Sequence, residues 1–145
     1  MSNVSEIIRP DRAAIERLQA EMAKMPQAEL TTEHYFADGM YCRYLPRPAG
    51  TLIVGKVHRK EHFYMVVSGR VRVTTDDGVV DISAPRVIVS KPGTKRAVLA
   101  LEDSVCLTVH RTDNTDLEEI EAELVEPDVL ALFDAHNKLR AKELT

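Results

Sequence analysis

Tryptophan is absent from this chain of 145 residues, aromatic residues make up only 5%, and glycine and proline number just 6 and 7. So little Gly and Pro excludes a fibrous or low-complexity polymer, while 44% hydrophobic residues in 16.3 kDa suffice for one buried core. Cysteine is nearly absent too. Cys42 and Cys106 lie far apart inside apolar segments, which excludes a disulfide framework and a C-x-x-C metal site and predicts two reduced core thiols. No apolar run approaches the roughly 20 residues that span a bilayer and no signal peptide opens the chain, so a cytoplasmic protein with no membrane partner is expected. An excess of positive charge is also missing: 19 Lys and Arg stand against 23 Asp and Glu, giving a net charge of -4. That balance argues against a nucleic-acid partner. The one local basic strip, Arg43, Arg47, Lys56, Arg59 and Lys60, has no ladder of aromatic residues and is expected to be a solvated rim. There is no G-x-S-x-G, Walker loop or G-x-G-x-x-G, so hydrolase, kinase and dehydrogenase classes have no support. Ser68 and Ser90 lie beside turns without a local base and make poor nucleophiles.

What is present is a change of period along the chain. Residues 10–25 read as a helix: Pro10 and Asp11 start it, Ile15, Leu18 and Met22 form one apolar face, and Pro26 ends it. From about 31 to 111 the period becomes that of strands, with β-rich runs at 33–37, 40–45, 51–58, 62–68, 70–75, 79–83, 86–90, 96–101 and 104–111. Asp38-Gly39, Gly69, Asp77-Gly78 and Pro92-Gly93 are among the turns that separate them. No helix long enough for a parallel crossover interrupts the runs, so antiparallel sheets closed as a jelly roll are expected. The helical period returns over about 115–140. Thr115 and Glu118 fit a capping box ahead of Leu117, Ile120 and Leu124, and a further segment from Pro127 to Leu139 carries Val129, Leu130, Leu132 and Phe133. One domain over residues 1–145 follows, with the barrel at about 31–111 and helices as decoration on its outside.

The chemistry concentrates at Lys56-Val-His58-Arg-Lys-Glu-His62-Phe-Tyr64. Read as two strands around Arg59-Lys60-Glu61, this stretch pairs His58 and His62 across a tight hairpin, with Cβ atoms roughly 4.5–5.5 Å apart. Two imidazoles so placed can converge on one ion. Period-two alternation adds Lys56 and Tyr64 to the same wall, whereas Glu61 has the wrong parity.

The stretch from Gly50 to Gly69 resembles the first motif of the cupins: Gly, five residues, His-x-His, three or four residues, Glu, six residues, Gly. Gly50 and Gly69 stand at the glycines, Lys56 at the first histidine, His58 at the second, and His62 at the glutamate. In the second motif Gly93 fits, but Arg96 stands at the histidine and Ala100 at the asparagine. The resemblance implies a mainly β jelly-roll barrel over residues 33–111. It does not select among oxygenases, isomerases, sugar epimerases, storage proteins and regulators. The chain, with Met25-Pro26-Gln27 before the barrel and Pro92 to Arg96 within it, also resembles small cupin-like proteins of tailed phages and prophages. For a phage protein the host cytoplasm would be the location.

Three readings of the barrel interior stay open. In the first, a divalent metal (zinc, iron, nickel or manganese) is held by His58 and His62, with His110 on the last strand or His34 on the first as third ligand. His110 is the choice taken here, although a single histidine on a strand can also satisfy itself within the sheet. In the second, no metal is bound and Lys56, Tyr64 and Arg96 hold a small organic anion, since Lys56 and Arg96 bring positive charge where the cupin pattern has ligands. The third is an inert pocket. If there is catalysis, His62 or Tyr64 is the candidate proton-transfer group. A small-molecule ligand and a homodimer are the expected partners, the dimer covering the apolar faces of residues 15–22 and 129–133. The alternative from another class is a scaffold that binds a host or viral protein. His136, in the final helical segment, is expected at the surface.

Overall fold

The computed structural model describes residues 11–25, 27, 30–128, 131 and 134–136. A helix, α1 (Arg12–Met22), precedes nine strands: β1 (Glu33–Ala37), β2 (Met40–Arg47), β3 (Leu52–Val54), β4 (His62–Ser68), β5 (Arg70–Thr75), β6 (Gly78–Ser83), β7 (Arg86–Ser90), β8 (Ala97–Ala100) and β9 (Ser104–Arg111). A second helix, α2 (Leu117–Leu124), follows them. The strands form two antiparallel sheets, ordered β1-β2-β9-β4-β7 and β3-β8-β5-β6, as expected for a jelly roll. Val66, Val71 and Val73 are completely buried between the sheets, beside Leu45, Ile82 and Cys106. Alternation explains why: on β4 and β5 every second residue faces the opposite sheet.

Two turns need glycine. At Asp38-Gly39 both residues have positive φ, 37° and 76°, which matches the right-handed twist of the β1–β2 hairpin. Gly69, with φ 81°, is the corner where the chain leaves the five-stranded sheet (β4) for the four-stranded one (β5). A Cβ there would lie inside van der Waals contact of the Ser104 hydroxyl and the Asp103 carbonyl. Ser104 is itself fixed, because its Oγ accepts from the Arg70 amide at 3.1 Å.

The helices depart from the sequence reading in instructive ways. Asp11 caps α1, accepting from the Ala14 amide at 2.8 Å, while Pro10 and Pro26 lie outside the described residues. The buried face of α1 is Ile15, Gln19 and Met22, and Gln19 is the most enclosed of them. Gln19 is drawn in because its amide donates to Asp128, which also pairs with the buried Lys95 at 2.9 Å. This face is therefore covered within one chain and does not call for a dimer partner. The expected Thr115–Glu118 capping box is not formed: α2 starts one residue later, with Asp116 at the cap position and no side-chain hydrogen bond there. Thr112 and Asn114 instead donate to Glu123 at 2.7 Å each, which pins the approach to the helix. Pro127, Asp128, Ala131, Asp134, Ala135 and His136 are not helical, in contrast to the expected segment 127–139, and Asp128 bonds through its carboxylate to Lys95 and Gln19. Val129, Leu130, Leu132 and Phe133 lie outside the described residues. His136 is exposed, in a turn.

Candidate metal centre

The five-stranded sheet presents its inner residues in rows set by strand register. Tyr41 opposes His110, which is flanked by His62, and His62 opposes Ser90. The next row is Arg43, Thr108, Tyr64 and Ile88, and the one below it is Leu45, Cys106 and Val66. A layer of imidazoles thus lies above a layer of polar groups and a layer of apolar ones.

His58 joins the first layer by a different route from the one expected. The hairpin around residues 59–61 does not exist, because β3 pairs with β8 in one sheet and β4 with β7 and β9 in the other. The expected strand 51–58 ends at Val54, and residues 55–61 cross between the sheets. The crossing is clamped on both sides. The Gly93 amide donates to the His58 carbonyl at 2.8 Å, the Arg59 amide to the Leu124 carbonyl at 2.7 Å, and the Glu126 amide to the Val57 carbonyl at 2.9 Å. His58 is held inward by these bonds and by its bridge to Val125.

The outcome is a triad. Ring centroids are 4.3 Å apart for His58 and His62, 4.6 Å for His62 and His110, and 5.3 Å for His58 and His110. One nitrogen from each ring lies within 4.8 Å of the others. Ligands about 2.1 Å from an ion stand about 3.4 Å apart at the tetrahedral angle, so modest ring rotations bring the three into coordination. Burial favours the neutral, ligating form of every ring. It is the main cause that lowers His58 to about 3 and His110 to about 2, with the neighbouring imidazoles and Arg43 acting in the same direction, and it lowers His62 as well. Nδ1 of His62 lies 3.3 Å from the Lys60 carbonyl, which can only accept, so Nε2 keeps its lone pair. Nε2 of His110 lies 3.0 Å from the Thr108 hydroxyl, and donation to it leaves Nδ1 for an ion. The donor set fits a divalent metal. His34 is engaged elsewhere, its Nδ1 2.6 Å from the Tyr41 hydroxyl.

The triad itself lines a cavity of about 180 Å³ whose wall also includes Tyr64, Arg96 and Lys56. Its Lys56 ammonium forms an ion pair with Glu121 of α2. The helix expected to decorate the exterior therefore closes the triad end of the barrel, with Ile120 and Leu124 packed on Tyr41. Arg96 projects over the Tyr64 ring, 5.8 Å from its centroid, and its Nε and Nη1 are buried without a hydrogen-bond partner. Burial drives the Tyr64 phenol well above its ordinary value, so at neutral pH it is a proton donor. Cys106 is buried beside it, and Cys42 is half-buried on the outward side of β2; both are free thiols.

Arg43 and Arg47 correct the sequence reading of a solvated rim. Both line the cavity, and Arg47 is only 8% exposed. Burial, reinforced by Arg43, lowers the Arg47 guanidinium to about 10. The signal was available: Tyr41, Arg43, Leu45 and Arg47 share one parity on β2, and two of them are apolar. The rest of the strip is dispersed. Lys60 pairs with Glu123 at 2.6 Å and Arg59 donates to the Val125 carbonyl at 3.0 Å.

Among the described residues no helix is long and apolar enough to cross a membrane. No protein-family model matches the chain, and no curated protein does. Solved structures do. A cupin superfamily protein from Desulfitobacterium hafniense has a TM-score of 0.51 at 14% identity, with 65% of this chain and 87% of that one covered. KdgF from a Halomonas species gives 0.53 at 15%, covering 62% and 86%. The cupin domain of Cnp3 from Schizosaccharomyces pombe gives 0.50 at 17%, covering 63% and 72%. At such identities the likeness carries fold and not activity. The chain is thus an antiparallel jelly roll of the cupin type, with a cluster of three histidines inside one end of the barrel.

Proposed function

We propose that the chain is a small ligand-binding cupin that holds a divalent metal on His58, His62 and His110 and a small molecule in the cavity beside it. The convergence of three buried, neutral imidazoles supports this most directly. A metal there would act as a Lewis acid toward an oxygen of the bound molecule. The chain's own groups set the surroundings: Glu121 neutralises Lys56 on the cavity wall, and Tyr64 offers a hydrogen-bond donor from the next row. The test is metal analysis of untagged protein loaded with zinc, iron, nickel or manganese and then desalted, beside a His58→Ala, His62→Ala double variant. About one metal per chain in the parent and none in the variant is expected. Equal, negligible metal in both would end the metal reading.

We also infer a homodimer, built on a different surface from the one the sequence suggested. The outward face of the five-stranded sheet is apolar over three adjacent strands: Phe63 and Val67 on the middle strand β4 and Val87 and Val89 on β7 are 43–56% exposed, and Leu107 and Val109 flank them on β9. Three strands about 4.8 Å apart and about 20 Å long give this apolar face a plan of roughly 15 by 20 Å, a few hundred Å². Its one charged residue, Arg111 at the end of β9, is already paired with Asp113, so two copies can pack sheet on sheet about a two-fold axis. Light scattering should report twice the chain mass, and Phe63→Glu with Val89→Lys should halve it. A parent that stays monomeric at high concentration would refute the dimer.

A further inference from the structure

Arg43, Arg47 and Arg96 bring three guanidinium groups to one cavity, and among the described residues none of them forms an ion pair. They converge from both sheets. Arg43 and Arg47 are four residues apart on β2, about 13 Å along the strand, and Arg96 approaches from the end of β8 in the facing sheet. Of the two carboxylates on the cavity wall among the described residues, Glu121 is taken by Lys56, and Asp134 forms no ion pair with any of the three arginines. Arg47 Nη1 donates to the Pro46 carbonyl at 2.8 Å, but Arg96 Nε and Nη1 have no acceptor. Arg47 is buried and Arg43 and Arg96 are half-buried, and although Arg96 feels the Asp76 carboxylate, no described carboxylate pairs directly with any of the three; enclosed cations so placed favour an added anion. Between the charges the wall is apolar, with Leu45, Val71 and Val98. The volume of about 180 Å³ is room for about six water molecules at ~30 Å³ each, or an organic molecule of about ten non-hydrogen atoms.

The geometry points to a small aliphatic dicarboxylate as the ligand of this cavity, its two carboxylates held by Arg43, Arg47 and Arg96 and its carbon chain against Leu45, Val71 and Val98. Two acid groups match cations that come from opposite walls and different levels, the planar guanidinium fork pairs with a carboxylate through two parallel hydrogen bonds, and a short alkyl spacer suits the wall between. The inference rests on the ligand-binding reading of the cavity and is independent of the metal.

Calorimetric titration tests it, on full-length protein both treated with chelator and loaded with cobalt(II). Malonate, succinate, glutarate and adipate are the probes, with butyrate, butane-1,4-diol and inorganic phosphate as controls. At least one diacid should bind about tenfold or more tighter than butyrate, the diol should not bind, and phosphate should be weaker than that diacid. Arg96→Met and Arg43→Met should each weaken the diacid about tenfold or more while leaving cobalt loading intact, and Arg96→Lys, which keeps the charge without the fork, should fall between. Arg96→Lys and Arg43→Met keep the test open if Arg96→Met does not fold. Diacids no tighter than butyrate, phosphate tighter than every diacid, or unchanged affinity in the arginine variants would overturn the inference. The metal reading fails separately: a His58→Ala, His62→Ala protein that takes no cobalt but still binds the diacid removes the metal and leaves the dicarboxylate in place.

Discussion

If Arg96 is kept for a ligand, the empty protein should be more stable without it. In Arg96→Met the linear side chain retains much of the packing of the arginine stem and removes the charge. Two buried N–H donors without partners, Nε and Nη1, are removed with it, and each such group costs about 1–3 kcal/mol. Against this stands the loss of the contact over the Tyr64 ring, worth about 0.5–1 kcal/mol. Water reaching the guanidinium in solution reduces the gain, so a net stabilisation of about 2 kcal/mol is expected, or about 6 °C in Tm for a domain of this size. The assay is urea denaturation in Tris chloride after exhaustive dialysis against chelator, so that neither metal nor organic acid contributes. Equal urea slopes for parent and variant would show that the two transitions are comparable. A variant less stable than the parent by more than about 1 kcal/mol would refute the reasoning, because the guanidinium would then be holding the barrel together.

Gly69→Ala should cost about 2 kcal/mol or more in the same assay, from positive φ and from overlap with the Ser104 corner, and a loss below about 0.5 kcal/mol would show that the corner relaxes. Acid should destabilise the metal-free protein. His58 at about 3 and His110 at about 2 stay neutral in the fold while an unfolded chain protonates them near 6.5, so stability is full above that value and falls as pH drops through it, by about 1.4 kcal/mol per unit for each ring; denaturation midpoints that do not change between pH 7.5 and 5 would contradict this. Metal and dicarboxylate should assist each other, since the anion neutralises Arg43 and Arg96, which otherwise repel a cation at the triad. Saturating diacid is expected to tighten metal binding about tenfold, with the reciprocal effect equal, and no coupling in paired titrations would count against a shared cavity.

The strand plan was readable because it rests on local signals. Asp38-Gly39, Gly69 and Asp77-Gly78 mark turns through their own backbone preferences, and most strand limits fell within a residue or two of the expected ones. The triad was legible as a set of residues and misread as a mechanism. A hairpin is the shortest explanation for two histidines four residues apart, but a jelly roll sends consecutive strands to opposite sheets, and nothing between Lys56 and His62 reveals which rule applies. His110 could be named but not aimed, because its neighbours are set by pairing with strands far away in sequence. The Lys56–Glu121 pair spans 65 residues and depends on where α2 docks, which no periodicity encodes. Arg43 and Arg47 were missed for a different reason: charged residues on a strand default to the solvent side, and parity with Tyr41 and Leu45 was the stronger signal.

The rows on the inner face of the five-stranded sheet give the barrel a direction. Imidazoles, then Arg43 with phenol and hydroxyl, then aliphatic groups, then Arg47 beside Ser104 follow one another along a single axis, so a guanidinium stands on either side of the aliphatic layer. A guest with an acid group at each end meets a guanidinium whichever way round it enters. The spacing between those charges is written into strand register, and a slip of one residue on β2 would erase it by turning Arg43, Leu45 and Arg47 outward.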